Sequence, residues 1–391
     1  MKDRYDVLIV GGGPAGSTAA RFAALNGVSV CLLERDREIG VPVRCAEGVS
    51  DTGIRKIIDI NPNWIAATIK RFRFHSPTIK YVDVSSNEIG YVFYRRIFDH
   101  DLAVEAAKSG VEIFTKATVH GLTKAKDGFI NILVRYENRE RTVQAKIVIA
   151  ADGIESRIAR MAGIRTNLAL KDIESCAQVL AGNVDIDPGR IDFYLSEKWS
   201  PGGYVWVFPK GDRMANIGLG VNGSMAKGRS ASEYLNEFLD EKFPNASRLT
   251  TIYGGVPVTT NLPRLVEDGL MIIGDAAHQV NPLTGGGISS AMAAGKMAGI
   301  VAADAIHCGD TSRKKLRAYE NEWNRTIGKD YRRFYRLKEW IRNMTDEEFE
   351  EIASAFQGMV PTDVKISSIF RMAVKNKPSL IVDAIKVFAG F

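Results

Sequence analysis

The amino-acid sequence predicts an α/β fold built on a parallel sheet, with an inserted antiparallel β lobe and helices at the C-terminal end. Between residues 5 and 34, an apolar strand, a glycine turn, an alanine-rich helix and a second strand follow one another, which is the order of a β-α-β unit. Alternating and β-branched stretches fill 68–94 and 175–262, and the strand, glycine loop and small-residue helix pattern returns from 266 onward. The prediction therefore divides the chain into a discontinuous parallel-sheet domain (1–67, 95–174 and 263–308), a β lobe (68–94 and 175–262) and a helical region (309–391).

Composition and charge limit the classes of function. The 391 residues are 45% apolar and 25% charged, as in a globular protein of two or three domains. The four cysteines show no C-x-x-C spacing, so the sequence predicts neither a disulfide framework nor a metal site. It shows no secretory signal, no apolar stretch of about 18 residues and no nucleic-acid motif. A cytoplasmic protein that does not bind nucleic acid is expected, and a net charge of +6 favours anionic partners.

The glycine turn after the first strand predicts a dinucleotide site. Gly11, Gly13 and Gly16 form G-x-G-x-x-G between a strand and a helix. The first glycine permits the tight turn, the second leaves room for a pyrophosphate at the helix N-terminus, and the third lets the helix pack on the strand. Glu34 ends the second strand, where a carboxylate can accept hydrogen bonds from an adenosine ribose.

The same glycine pattern recurs at Gly218, Gly220 and Gly223. No helix follows it directly, and no second strand ends in an acid about twenty residues later, so this copy is not interpreted as a nucleotide site. The sequence therefore shows no dedicated NAD(P)H domain. The dinucleotide at Gly11 is expected to be the reacting cofactor itself.

Two further segments resemble a known flavoprotein family. KIVIAADGIESRIAR carries Asp152 after a strand, and GLMIIGDAAHQVNPLTGGG carries Asp275 after another. Together with the first glycine motif, their order and separation resemble those of the FAD-dependent family that includes para-hydroxybenzoate hydroxylase. The resemblance implies a Rossmann-like FAD-binding domain of that type, with Asp275 beside the ribitol chain. It implies FAD contacts by Gly11, Gly13, Ala15, Gly16, Glu34, Cys45, Ala46, Gly48, Arg95, Val119, Asp152, Asp275, Gly287 and Ile288.

Two other segments indicate a branch of that family. YVWVFPKGDRMANIGLG has Tyr-x-Trp-x-Phe-Pro followed by Gly-x-Gly, a pattern similar to that of geranylgeranyl reductases. GVPVRCAEGVS resembles the archaeal branch, the digeranylgeranylglycerophospholipid reductases. As bare aromatics that alternate along one strand face, Tyr204, Trp206 and Phe208 would be interpreted as core. As part of this longer pattern, they are predicted to bind substrate.

The resemblance implies the reduction of prenyl double bonds. An isolated alkene has no carbonyl to stabilise a carbanion, so hydride from N5 of the reduced flavin is expected to reach a carbon made cation-like by proton donation. Such chemistry needs a dry pocket, and aromatic faces stabilise nearby positive charge. Cys45, Tyr204 and Trp206 are therefore assigned to catalysis. Cys45, Glu47, Tyr204 and a bound water all stay open as proton donors.

The implied substrate is a prenylated glycerophospholipid of archaeal membrane lipid biosynthesis. Ferredoxin, NAD(P)H and a deazaflavin stay open as electron donors. Three alternatives are kept for the function: an FAD-dependent aromatic monooxygenase, a reductase of geranylgeranyl diphosphate or of the chlorophyll type, and a flavin-bearing lipid carrier or electron-transfer partner.

The C-terminal helical region is basic and aromatic. Between Arg313 and Arg342 there are eleven lysines and arginines against four acids, with six interleaved aromatics. Such a helix can lie on an anionic membrane surface, which makes peripheral contact with the inner face of the membrane one interpretation. A helix packed on the protein body through its aromatics is the other.

Overall fold

A computed structural model of the chain describes residues 1–78, 80–375 and 378–388. Residue 79 of the predicted β lobe, and residues 376–377 and 389–391 of the predicted helical region, lie outside the described residues. The strands are β1 Arg4–Val10, β2 Val30–Leu33, β3 Gly48–Ser50, β4 Ile65–His75, β5 Tyr81–Phe93, β6 Glu112–Phe114, β7 Ala117–Lys124, β8 Ile130–Tyr136, β9 Arg139–Ala150, β10 Ile173–Gly182, β11 Arg190–Tyr194, β12 Tyr204–Pro209, β13 Met214–Asn222, β14 Ser247–Pro257, β15 Val266–Glu267 and β16 Leu270–Ile272. The helices are α1 Pro14–Leu25, α2 Asp51–Arg55, α3 Arg95–Lys108, α4 Arg157–Met161, α5 Ala231–Lys242, α6 Ile288–His307, α7 Arg313–Arg325, α8 Ile327–Ile341, α9 Asp346–Phe356, α10 Ile366–Ala373 and α11 Pro378–Phe388.

The first sheet has a buried parallel centre. Its strand order is β15-β16-β9-β1-β2-β6, and β7 and β8 extend it beside β9. β1 runs parallel to β2 and to β9, and Val7, Leu8 and Ile9 are fully buried. A run of apolar residues without alternation suits a strand that is covered on both faces. Buried alanines of α1 and α6 belong to the same core, so this sheet fixes the starts of both helices.

The second sheet is the inserted antiparallel one. Its order is β14-β10-β13-β12-β11-β4-β5-β3, and β11 with β4 form its parallel pair. Residues 48–50 and 65–67, at the end of the first predicted segment, pair here through β3 and β4. α5 packs on one face through Tyr234 and Phe238, which share a core with Val205 and Val207 of β12. The opposite face carries the alternate residues of each strand. The α/β class predicted from the sequence is confirmed.

The C-terminal helices pack on both sheets. Leu316, Tyr319 and Trp323 of α7 are completely buried in the core of the first sheet, which favours the packing interpretation for these aromatics. Farther on, side chains of the α9–α10 region contact Val82 and Val84 of β5. Within residues 1–78, 80–375 and 378–388, the structure has no helix long and apolar enough to span a membrane.

Candidate active site

The turn between β1 and α1 leaves open space in front of a helix N-terminus. Gly11 has a φ of +107°, and a Cβ added there would lie 2.3 Å from the carbonyl oxygen of Ala151. A Cβ added at Gly16 would lie 1.9 Å from Gly11 O, so the chain itself requires both glycines. A Cβ added at Gly13 would meet nothing within 4 Å. Gly13 is therefore not required by packing within the chain, and the space in front of it is available to a ligand.

The acid predicted to bind the ribose borders this turn. Glu34 Oε2 accepts a hydrogen bond from Gly12 N at 2.7 Å, and Oε1 accepts one from Asp36 N at 2.8 Å. Ala117 N donates to Glu34 O at 2.8 Å, which places the start of β7, with buried Val119, beside the same strand end. Glu34 and Val119 thus lie at the carboxyl edge of the first sheet, where open α/β sheets bind their ligands.

Two more carboxylates lie near this edge with unused acceptor capacity. Asp152 Oδ2 accepts a hydrogen bond from Ile158 N at 3.0 Å, whereas Oδ1 is buried and has no partner among the described residues. The Asp275 carboxylate accepts no hydrogen bond from the part of the chain that the structure describes. It lies next to the start of α6, since a Cβ added at Gly287 would lie 3.5 Å from Asp275 Oδ1. Burial raises the pKa of both acids. Both require hydroxyl or other donors to satisfy them.

These residues fit FAD. α1 and α6 begin at Pro14 and Ile288 with no side-chain cap on either helix, so both N-termini offer free N–H groups and a positive dipole end. Such an end suits a pyrophosphate or the negative charge of a reduced flavin. Unsatisfied carboxylates suit the hydroxyls of a ribose and a ribitol chain. The donors and acceptors left free are thus those that a flavin dinucleotide requires.

The aromatic residues of β12 lie on the face of the second sheet that is opposite α5. Val205 and Val207 are buried in the core beneath α5, whereas Tyr204, Trp206 and Phe208 point the other way and are only partly buried. The strand alternates as predicted, and its aromatics lie on the face opposite the core beneath α5. Tyr204 pairs with Gly220 and Trp206 with Gly218 of β13. The second glycine motif therefore makes room for aromatic side chains, because a Cβ at Gly218 would lie 2.6 Å from the Trp206 ring.

Further aromatics extend this surface. Phe193 of β11 makes edge contacts with Tyr204 at 5.4 Å and with Phe208 at 5.9 Å between ring centroids. It also stacks with Phe74 of β4 at 5.4 Å. We call Tyr204, Trp206, Phe208, Phe193 and Phe74 the aromatic wall. Phe193 and Phe74 were not predicted as site residues. They lie beside the β12 aromatics because β11 pairs with β12 and with β4, and no local sequence pattern predicts that pairing.

Residues 45–48, which we call the cysteine segment, lie against the aromatic wall. Gln178 of β10 donates to Cys45 O at 2.9 Å and accepts from Trp206 Nε1 at 2.9 Å. A Cβ added at Gly48 would lie 2.6 Å from the ring of Phe208. The Tyr204 hydroxyl donates to Thr284 O in the loop before α6. The structure therefore brings the 45–48 segment and the start of α6 to the aromatic strand.

Charged groups surround Cys45. Arg95 is partly buried and forms a two-point ion pair with the buried Asp99 at 2.6 and 2.7 Å. Burial raises the pKa of the Cys45 thiol, and the Arg95 charge partly opposes that rise. The thiol thus keeps its proton at neutral pH. Among the residues that the structure describes, no group of three or more His, Cys, Asp or Glu side chains could hold a metal ion.

Comparisons with known proteins place the chain in a family. A profile described as geranylgeranyl reductase catalytic domain matches 172–256, and one described as FAD dependent oxidoreductase matches 6–201. Digeranylgeranylglycerophospholipid reductases of Methanocella arvoryzae and Methanosarcina acetivorans are 44% and 43% identical to the chain over 389 and 391 residues. These alignments cover 98% of this chain in both cases, and 99% and 96% of the respective relatives. The chain belongs to the digeranylgeranylglycerophospholipid reductase family.

Solved structures agree with this membership. The crystal structure of a geranylgeranyl bacteriochlorophyll reductase-like protein from Thermoplasma acidophilum superposes with a TM-score of 0.91 at 35% identity, covering 98% of this chain and 99% of that one. A flavin-dependent brominase, at a TM-score of 0.71 and 19% identity over 95% of this chain and 99% of its own, shows likeness of fold alone. The predicted family, enzyme class and FAD cofactor are confirmed.

The two family profiles correspond to the two sides of the site. The FAD dependent oxidoreductase match includes the Gly11 turn, and the reductase catalytic match includes β10 to β13 with the aromatic strand. Gln178, Lys210 and Asn216 lie in the second match and reach the cysteine segment, and sequence reasoning missed all three. Lys210 directly follows the Tyr-x-Trp-x-Phe-Pro motif. Its place beside that motif is the signal that could have indicated it.

Proposed function

We propose that the protein is an FAD-dependent reductase that saturates the C=C bonds of geranylgeranyl chains in archaeal ether phospholipids. The observation that carries the proposal is the aromatic wall, because its partly buried Tyr204 contacts the loop before α6 and its partly buried Trp206 is linked through Gln178 to Cys45. The names of the curated relatives state a digeranylgeranylglycerophospholipid substrate. An extended apolar chain is the ligand that such a wall suits.

Each predicted catalytic or substrate-binding residue has a role in this proposal. Reduced FAD supplies the hydride when bound, and the chain must supply a proton and a dry surface. Cys45 holds the proton, since burial raises the pKa of its thiol. Tyr204 and Trp206 stabilise positive charge developing on the alkene, and Phe208 contacts the prenyl chain. Water is excluded from the cationic carbon by the same rings.

A peripheral membrane contact is part of the proposal. The outer side of α7 and α8 exposes Lys314, Arg317, Arg325, Lys329 and Arg332. Cations at such a surface are attracted by anionic lipid headgroups. The substrate is itself a membrane lipid in this proposal, so contact with the membrane would bring the site to it. The electron donor is proposed to be a ferredoxin, a deazaflavin or NAD(P)H that reduces FAD within this same domain.

Anaerobic single turnover tests the function. The FAD-loaded protein is reduced with dithionite and mixed with digeranylgeranylglycerophospholipid, and the lipid is analysed by mass spectrometry. A gain of about two mass units per double bond supports the reductase. Unchanged lipid, with flavin that reoxidises only in air while an aromatic substrate gains oxygen, identifies a monooxygenase instead. Unchanged lipid that stays bound identifies a carrier.

A further inference from the structure

Glu47 has an uncommon backbone conformation in the cysteine segment. It is a buried acid, only 3% exposed, and its φ is +75°, a value that few residues other than glycine adopt. Its carbonyl oxygen accepts a hydrogen bond from Phe93 N at 2.9 Å, and its own N–H points to Cys45 Sγ at 3.1 Å. A strained backbone of this kind persists only where its surroundings over-determine it.

The Glu47 carboxylate accepts hydrogen bonds from three donors. Oε2 accepts hydrogen bonds from Lys210 Nζ and from Asn216 Nδ2, and Oε1 accepts one from the backbone N of Arg95 at 3.1 Å. A carboxylate that accepts three hydrogen bonds, one of them from an ammonium group, is in its ionised form. It has no proton to transfer, so Glu47 is not the proton donor that the sequence left open.

Two of these three donors, Lys210 and Asn216, come from the inserted β lobe. Lys210 is 8% exposed and also donates to Phe93 O at 3.2 Å. Asn216 of β13 reaches Ala46 O at 3.2 Å with the same amide nitrogen that contacts the carboxylate. Together with Gln178, which holds Cys45 O, these side chains fix three consecutive residues, 45 to 47.

We propose that the cluster of Glu47, Lys210 and Asn216 is a positioning unit that holds Cys45 against the aromatic wall. The inference rests on the proposed function, since Cys45 is the proton-holding group there. Removing one member of a buried ion pair leaves an uncompensated charge, so the segment loses its fixed conformation. Gln178 links Cys45 O to Trp206 Nε1, and a displaced cysteine segment therefore disturbs the wall as well.

Four variants and a matched control test the positioning role. The variants are Glu47→Gln, Lys210→Met, the double variant and Lys210→Arg. The control is Lys338→Met, because Lys338 is an equally buried lysine, 6% exposed, whose Nζ donates to Val258 O at 2.8 Å. In FAD-loaded protein, the iodoacetamide alkylation rate of each cysteine is followed by peptide mass spectrometry. The kcat and KM for the lipid are measured alongside.

The expected pattern separates positioning from stability. Glu47→Gln and Lys210→Met raise the alkylation rate of Cys45 by about tenfold or more and lower kcat by a similar factor, with KM within about threefold. Cys31, fully buried in β2, keeps its slow rate. Lys210→Arg, which keeps the ion pair with Glu47, returns Cys45 toward the rate of the unmodified chain. The double variant lacks the ion pair, so its Cys45 rate stays raised although no unpaired buried charge remains. Lys338→Met changes neither readout.

Two outcomes overturn the inference. One is an alkylation rate at Cys45 that does not change in either single variant. The other is a rise at Cys31 that equals the rise at Cys45, because a general loosening of the fold then explains both. If the unmodified chain fails to reduce the lipid while the alkylation pattern holds, the proposed function fails and the positioning role stands.

Discussion

Burial sets the protonation of individual groups in the site. It raises the pKa of Cys45 and of Tyr204, so both retain their protons at neutral pH. It opposes the charged form of Lys210 and lowers the pKa of that ammonium, while the adjacent Glu47 carboxylate favours the charged form. The Tyr204 hydroxyl donates its proton to Thr284 O, whereas Cys45 Sγ accepts a hydrogen bond from Glu47 N, a contact that does not use the thiol proton.

Trp206→Ala should impair turnover while leaving FAD bound. A ring facing a desolvated cation contributes about 2 kcal/mol, so its loss should lower kcat by about 30-fold. The FAD absorbance of the purified variant should stay the same, because Trp206 contacts Gln178 and Tyr204 and not the glycine turn. Trp206→Phe serves as the control and should retain most of the activity. Loss of FAD from the alanine variant would show that the strand is scaffold for the cofactor.

Glu174 should make stability depend on pH. Burial raises its pKa from 4.5 to about 7, and its Oε2 has no hydrogen-bond partner among the described residues. The folded state therefore holds a proton that the unfolded state releases between about pH 4.5 and about pH 7, so stability falls as pH rises through this window, by on the order of 3 kcal/mol. Glu174→Gln should remove this fall in urea unfolding curves. Asp212→Asn, which alters an exposed acid, should keep it.

At the scale of elements, the β1–α1 turn contains two glycines that the fold requires, Gly11 and Gly16, and one, Gly13, that only a bound ligand would require. Gly11 would clash with Ala151 if it carried a Cβ, and Gly16 would clash with Gly11. Gly13 has ordinary extended backbone, with φ −69° and ψ −177°, and a Cβ there would meet nothing within 4 Å. The turn therefore allows a substitution that affects binding without affecting folding.

Gly13→Ala should lower FAD affinity and leave the apoprotein stable. The added methyl group occupies the space in front of α1 into which a pyrophosphate must approach. We expect the dissociation constant for FAD to rise by about tenfold or more, measured by fluorescence titration. The thermal midpoint of the apoprotein should stay within about 2 °C of the unmodified chain. Gly11→Ala, in contrast, should lower that midpoint. Equal FAD affinity in the Gly13 variant would contradict the assigned cofactor position.

The sequence predicted those elements whose signals are local. The Gly11 turn and the alternation of β12 depend on residues near one another in the chain, and both are present in the structure. Periodicity could not decide which face of β12 is core, since that depends on where α5 packs. The contacts that assemble the site join residues 133, 163 and 170 positions apart. No local pattern predicts pairs at such separations, which is why Gln178, Lys210 and Asn216 were missed.

At the scale of the whole molecule, α7 and α8 present exposed cations, and the protein is proposed to act on a membrane lipid. The chain carries a net charge of +6, and the aromatics of α7 are buried while its exposed positions include Lys314 and Arg317. Membrane contact through inserted rings of α7 is therefore not expected. Electrostatic attraction is the mechanism that these helices support.

Lys329→Gln with Arg332→Gln should weaken binding to anionic vesicles. Both side chains are exposed on α8, and a cation near an anionic surface contributes about 1 kcal/mol, so the double change should reduce the partition coefficient by about 30-fold in vesicle sedimentation with phosphatidylglycerol. Binding of the unmodified chain should fall as salt rises, because ionic strength screens exposed charges. Lys126→Gln with Arg139→Gln removes two exposed cations near the β8 hairpin and should bind normally. Equal losses in both pairs would mean that net charge alone attracts the protein, and the assignment of this surface would then be wrong.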